Sequence, residues 1–416
     1  MILRKTLIIG LLFTSINVTA QGDRLWTEQH YFDSLSSKQT SIWGASDYRA
    51  QSNTLTNQLM SEALFQGNIK SSSSEFLKDL NSEGTTRLNV GFQGEVWYRH
   101  VRKNGPALLF GVEINENLYG SISNGLAQLY LKGNAPFEDQ RLPLGRSKLF
   151  YMSDQSMGFG LEWTKPAVIY GANLNLIKVS RFQKVEIDQP SFLYTAPYGA
   201  QLDVQLAFDY HASSSTQAKP GAWYGTGAAA DFYLILHPED GKSMLSVQAK
   251  RIGMVHFSGS SAYSMNQDTV YTGTNIDNIL ALEDAITTND GLDSLEALLG
   301  LEESSESRAV ALPTTIQLDY IRTFSEKLSL AFQLKQVLSF GIPQARVGIA
   351  YKPKKWLALE PFFSTGGFSV FDLGLSASIN VNNKFRLLTK YELLESQVAS
   401  ANSTSQALFL GGQLIF

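Results

Sequence analysis

The chain closes on Ala407-Leu-Phe-Leu-Gly-Gly-Gln-Leu-Ile-Phe416. Counting back from Phe416, the residues Leu414, Gly412, Leu410 and Leu408 fall on every second position. Alternation with period 2 marks a strand that has one face in an apolar medium. The length of the stretch also matches the roughly 9 to 11 residues that a tilted strand needs to cross a bilayer. Two folds satisfy this pattern, a transmembrane β-barrel and a soluble β-sandwich, and the rest of the chain has to separate them.

Composition favours the barrel. Of the 416 residues, 44% are hydrophobic, 11% aromatic and only 17% charged, against roughly 25% charged in ordinary soluble domains. Mean hydropathy is close to zero, which is too polar for a bundle of membrane helices. A sheet in which half of each strand is apolar gives this balance. A net charge of −4 provides no electrostatic case for nucleic acid as a partner. Cysteine is absent, which excludes a disulfide framework, thiolate metal sites and cysteine nucleophiles.

Residues 1–20 have the form of a secretory signal: Arg4 and Lys5, an apolar run from Leu7 to Phe13, and Val18-Thr19-Ala20 before Gln21. Residues 21–86 form a mixed polar segment with a first strand at Thr40 to Tyr48. Two helical pieces, near 57–65 and 75–80, could plug a lumen or lie outside it. Residues 87–416 read as the barrel. In the strand from Leu88, the residues Val90, Phe92, Val96 and Tyr98 share one face; Asn89, Gln93, Glu95 and Arg99 share the other, with Trp97 the exception on that polar face.

Further strands are expected near 107–115, 157–163, 168–180, 183–196, 200–211, 225–237 and 243–257. A long external loop with two short helices follows at 258–312. The final strands fall near 313–324, 327–338, 344–352, 355–364, 369–381, 384–394 and 407–416. With Thr40 to Tyr48 this makes about 16 antiparallel strands, or 14 if one has been split, since closure needs an even number.

Loop lengths separate the two folds. Counting back from Phe416, short turns fall at 381–384, 353–355, 325–326, 238–241, 197–199, 164–167 and 102–106. Long connections fall at 395–406, 258–312, 213–223 and 117–153. Short periplasmic turns alternating with long external loops are the habit of bacterial barrels, and a sandwich has no reason to sort its loops this way. Trp163 and Trp356 flank two of the short turns, at the level of Phe416.

A chain that ends on such a strand resembles the assembly signal of bacterial outer-membrane barrels. This implies outer-membrane lipid and the barrel assembly machinery, acting through the Phe416 strand, as partners. Leu129-Tyr-Leu-Lys-Gly-Asn-Ala-Pro-Phe137, Leu193-Tyr-Thr-Ala-Pro197 and Tyr271-Thr-Gly-Thr-Asn-Ile276 resemble an uncharacterised Bacteroidota outer-membrane barrel family. More distantly, the arrangement is similar to fatty-acid-transporter and PorV-type barrels. The resemblance implies an outer-membrane barrel whose cargo is a small, hydrophobic ligand or whose partner is a secretion component. It transfers no site residues. In that lineage Asp33-Ser-Leu35, Asp268-Thr-Val270 and Asp293-Ser-Leu295 match the spelling of an O-glycosylation site.

No catalytic constellation is present. The histidines His30, His100, His211, His237 and His256 are scattered without metal-ligand spacing, and no Gly-x-Ser-x-Gly elbow occurs. Neither an enzyme, a metal nor a cofactor is expected. The acidic run from Asp277 to Glu306 has no Asp-x-Asp-x-Asp-Gly loop for calcium. Charges on the polar strand faces are the site candidates: Glu95, Arg99, Asp203, Asp209, Lys250, Asp319, Lys335, Arg346, Asp372, Lys390 and Glu392. A charge aimed at lipid costs a few kcal/mol, so these should line the lumen, as a salt-bridged filling or as a polar path for a solute. The function expected is binding or passage of a small ligand; the alternative is a structural or interaction barrel serving secretion or adhesion through its long loop.

Overall fold

A computed structural model describes residues 40–61, 83–213, 223–238, 241–272, 304–341, 343–381, 384–392 and 404–416. The expected signal, the helical piece at 75–80, both helices of the 258–312 loop and the motifs at Asp33 and Asp293 lie outside these residues.

The strands are β1 (Ser41–Ser52), β2 (Thr85–His100), β3 (Ala107–Ser123), β4 (Arg141–Pro143), β5 (Ser147–Lys165) and β6 (Val168–Thr195). Next come β7 (Gln201–Ser213), β8 (Gly225–Leu236), β9 (Ser243–Thr272), β10 (Ser304–Ala311), β11 (Thr315–Ser325) and β12 (Leu328–Val337). The last are β13 (Gln344–Lys354), β14 (Leu357–Gly366), β15 (Ser369–Val381), β16 (Phe385–Glu392) and β17 (Ser405–Ile415). Among the described residues two α-helices accompany them, α1 (Asn57–Ser61) and α2 (Asn124–Lys132).

Fourteen strands form a closed antiparallel ring in chain order, with β4, β7 and β10 outside it. The last strand meets the first in an unbroken register from Ser41↔Ile415 to Gln51↔Ser405, which leaves no edge in the ring. Which way the strands face follows from their alternation. In β15, Leu373 and Leu375 are each 39% exposed, whereas Asp372 is 0% and Ser376 2% exposed. A protein surrounded by water places these residues the other way round. The outward apolar faces of Phe110, Phe159, Leu174, Phe232, Val347 and Leu410 continue the belt around the ring, as a transmembrane barrel requires. No described helix is long and apolar enough to cross a membrane.

The short turns share one rim, linked by backbone hydrogen bonds. Phe416 donates to Thr40, Ile415 to Lys384, Asn380 to Trp356, Lys352 to Lys327, Thr323 to Lys242 and His237 to Ala167. At this level Trp163 stacks on Tyr170 at 5.4 Å, with the Lys165 ammonium 5.8 Å from the tyrosine ring.

The ring has fourteen strands, the lower of the two counts expected, because one strand reads as two in the sequence and β7 lies outside the ring. The expected break at Arg181-Phe182 is absent, because β6 runs unbroken for 28 residues. A β-bulge at Ser180, where β5 slips register against β6, shifts the alternation by one and gives the appearance of a turn. Above that bulge β6 pairs with β7 (Gln183↔Ala212 to Thr195↔Leu202); below it β6 pairs with β8 (Val168↔Leu236 to Val179↔Gly225). The 30-residue β9 is shared in the same way, by β8 below and β7 above. Both β7 and β8 therefore occupy one place in the wall, end to end. The turn at 197–199 lies on the external side, not the periplasmic one. The segment at 258–312, expected to be a loop, is strand through Thr272 and again in β10, which pairs with β9 at Ala311↔Met254 to Ser304↔Ala262.

The depth of the apolar belt sets a test. Arginine at Leu375, in the middle of β15, should cost about 2–4 kcal/mol, and arginine at Val381, on the short-turn rim, about 0–1 kcal/mol. Denaturant unfolding of the two variants in lipid vesicles measures the difference; equal costs would contradict the membrane placement.

Candidate functional site

Among the described residues, side chains of the wall and of two external loops fill much of the lumen. At its external end an apolar layer gathers Tyr119 from β3, Phe150 and Met152 from β5, Phe182 from β6, Val255 and Phe257 from β9, and Phe368 from the β14–β15 turn; Phe340, from the β12–β13 connection, packs against it. Tyr119 stacks on Phe340 at 5.4 Å and lies 5.8 Å from Phe368, while Phe150 meets Phe340 edge-on at 5.8 Å. β3 and β13 stand seven places apart in a ring of fourteen, so these contacts run straight across the lumen. Local geometry turns the two loops inward. Ser339 has φ 82° and Gly366 φ 86°, and a side chain at Gly366 would run into the Pro343 carbonyl oxygen 2.3 Å away. The two loops thus run backbone to backbone where they leave the paired strands β13 and β14.

Below this layer the interior is polar and charged. A cavity of about 40 Å³ is lined by Gln93, Glu95, Glu113, Asn115, Asp154, Asp231, Lys250 and Arg251. That is room for water, not for a drug-sized ligand. Two successive cations, Lys250 and Arg251, line it because β8 and β9 slip register between Ala230 and Phe232 and Arg251 takes φ 59°. The Asp231 carboxylate completes the bulge by accepting from the Arg251 backbone N–H at 2.7 Å and from Asn175 Nδ2 at 2.6 Å. The Arg251 guanidinium then makes a two-pronged contact with Asp154, at 2.8 and 3.2 Å.

Across the lumen a second cavity, about 50 Å³, is lined by Asp47, Arg49, Gln317, Gln333, Lys335, Gln344, Lys390 and Glu392. Here Arg49 pairs with Asp47, and Lys390 with Glu392. Nearer the short-turn rim, Arg99 donates to Glu162 at 2.7 and 2.9 Å, and Tyr233 donates to the other oxygen of Glu162 at 2.8 Å. Trp43 and Trp97 stack at 6.3 Å. The Trp97 ring lies over Gly111, where any Cβ would fall 2.2 Å from it. This explains the one tryptophan on a polar strand face: it covers a glycine gap in the next strand and donates to Glu95 at 3.2 Å. Ile235, Met244, Ile321, Ala350 and Ala358 form an apolar band at the same end of the opposite wall.

Nine of the eleven residues singled out in the sequence are on strands of the ring. Glu95 and Lys250 line the first cavity; Lys335, Lys390 and Glu392 line the second. Asp319 accepts from Gln317 and Gln333 at 2.8 and 2.7 Å, and Asp372 from Ser369, Ser364 and Gln344 at 2.7, 3.2 and 3.3 Å. Arg346 is paired with Glu360 at 2.5 Å, with its guanidinium 3.7 Å from the centre of the Phe362 ring, and Arg99 holds Glu162. The structure places Asp203 and Asp209 elsewhere. They lie on β7, in the sheet above the ring and away from both cavities, since β7 belongs to the external extension of β6 and β9. Sequence reasoning missed Glu113, Asp154, Glu162, Asp231, Arg251 and the aromatic layer. Parity alone points to Glu113. Asp154 falls between the loop expected at 117–153 and the strand expected from 157, and the bulge hides Arg251.

A model of a family of unknown function (DUF5723) matches residues 180–388, half of the chain. The chain belongs to this family. Among solved structures it is similar to a mutant of TodX, a Pseudomonas putida protein titled a monoaromatic hydrocarbon channel, at 8% identity and a TM-score of 0.46, over 92% of this chain and 91% of that one. A FadL homologue of Pseudomonas aeruginosa aligns at 10% identity and a TM-score of 0.41, over 91% and 90% of the two chains. The translocator domain of the Neisseria meningitidis autotransporter NalP aligns at 8% identity and a TM-score of 0.36, over 95% of both. No curated protein matches the chain.

The Arg251–Asp154 pair sets a test of the lumen. Asp154 is 2% exposed, so Arg251→Met leaves a buried charge unpaired and should destabilise the barrel by about 3–5 kcal/mol. The double variant Arg251→Met/Asp154→Asn should recover most of that loss in a double-mutant unfolding cycle; equal losses in the single and double variants would show that the two charges are not coupled.

Proposed function

We propose that the chain is an outer-membrane barrel that acts as a gated conduit for a small ligand that is apolar where it enters. One observation carries the reading: the apolar layer at the external end of the lumen is completed across the barrel by two short loops, above polar cavities that the wall leaves behind. A barrel needed only as a scaffold could fill its interior from the strands alone. Here Phe340 and Phe368 come from connections, and loops move at far lower cost than hydrogen-bonded strands do. Their rings, with those of Tyr119, Phe150 and Phe182, offer an aromatic surface that an apolar or aromatic molecule can share. Beneath it, the Asp154–Arg251 and Asp47–Arg49 pairs keep the charged groups satisfied while the gate is shut. The inward charges also agree with a lumen that holds water when it opens. The exposed apolar belt and the rim of short turns support the outer-membrane location.

A second reading, an interaction barrel, has its own observation. The sheet formed by β7 and the upper halves of β6 and β9 stands on the external side, and at its tip Tyr198 is 98% exposed with φ 60°. Such a residue is placed to meet another surface.

Conductance in planar bilayers separates the two. Phe340→Ala/Phe368→Ala should convert a closed or rarely open barrel into one that conducts steadily, at least tenfold above the parent, and Tyr198→Ser should leave conductance unchanged. If the double variant stays closed while Tyr198→Ser abolishes attachment to cells or protein-coated surfaces, the second reading replaces the first.

A further inference from the structure

The short-turn rim carries an excess of positive charge. The β2–β3 turn presents Arg102 and Lys103, the end of β5 presents Lys165, and the β8–β9 turn presents Lys242, all exposed. On the other half of the rim Lys327, Lys354, Lys355 and Lys384 are exposed in the three remaining turns. Every one of the six turns therefore contributes a cation. Among the described residues Glu326 is the single exposed acid at this level, and the sequence adds Glu239 and Asp240 in one turn. Turns need polar residues, but solvation is indifferent to sign. The chain as a whole has 38 acidic and 34 basic residues, so a rim of eight exposed cations departs from its composition.

We infer that this rim is a binding surface for the anionic phosphate headgroups of phospholipids in the periplasmic leaflet. Two features choose lipid over a docked acidic protein. The cations are spread around the full circle, as a lipid annulus is, and are not gathered on one side. They also sit beside the aromatic belt: Trp356 is 51% exposed and adjoins Lys354 and Lys355, Phe324 is 61% exposed, and Lys165 lies over Tyr170. Rings at the acyl boundary with ammonium groups just beyond them match the layering of a headgroup region. Basic residues at a membrane surface attract anionic lipid, and their contributions add along the rim.

The inference rests on the membrane placement, and one experiment tests both. The full barrel is reconstituted in phosphatidylcholine vesicles containing a small fraction of lipid brominated on its acyl chains, either phosphatidylglycerol or phosphatidylcholine, and tryptophan quenching is followed. Trp356 reports on the rim, and Trp356→Phe identifies its share of the signal. The expected result is quenching by both lipids, with phosphatidylglycerol effective at several-fold lower mole fraction. That preference should shrink at high salt and vanish in Lys354→Gln/Lys355→Gln/Lys384→Gln/Lys103→Gln. Equal quenching by the two lipids, or a preference that survives these substitutions, overturns the inference and leaves the membrane barrel standing. Quenching by neither lipid overturns the membrane placement itself.

Discussion

Ring closure between β1 and β17 is the constraint on which everything else depends. In hydrocarbon no water replaces a missing backbone hydrogen bond, so a single unpaired edge would cost several kcal/mol for each exposed group. The eleven-residue register from Ser41↔Ile415 to Gln51↔Ser405 removes that edge. It also fixes the parity of every strand between them, because a slip of one residue would turn each lipid-facing leucine inward. The chain must therefore deliver an even number of crossings with both ends at one rim. The hydrogen bond from Phe416 to Thr40 is where this requirement is met.

Once the outer face is committed to lipid, the inner face has to solve the opposite problem. Polar side chains that point inward lose water to one another and need partners. Bulges supply part of the answer. The slip at Arg251 brings two cations to a place where β3, β5 and β8 present carboxylates, and the Asp231 side chain occupies the backbone N–H that the slip sets free. Elsewhere small residues make room for large ones, as Gly111 does for Trp97. The interior is thus packed as a core is packed, with charges where a soluble protein has leucines, and apolar material gathered mainly into layers near the two ends.

Much of this was legible in the sequence because period 2 in a membrane strand has few competing causes. The alternation of Phe371, Leu373 and Leu375 with Asp372, Gly374 and Ser376 has the same phase in the structure. The legibility fails where the phase is locally broken. At Ser180 the bulge looked like a turn, and the end-to-end arrangement of β7 and β8 looked like a second hairpin. Each error shifted the strand count by one, so the two cancelled in parity and left the other turns on their proper side. Asp203 and Asp209 showed clean alternation but belong to a sheet above the ring, since alternation reports a two-sided strand and says nothing of its height. The aromatic layer was hidden for a different reason. Phe340 and Phe368 lie in connections, where no periodicity operates, and only the ring's closure brings them opposite Tyr119.

The stacking of β8 under β7 separates two properties that a simple barrel ties together. In a barrel of uniform strands, circumference and height both follow from one set of hairpins. Here the circumference is complete below Ser180, where β8 alone joins the lower halves of β6 and β9. The height on that side is set independently, by β7 and the upper parts of its two neighbours. Such a wall can be raised or lowered over a few strands without altering the width of the ring beneath it, so its outer profile and its lumen are free to diverge separately within one family.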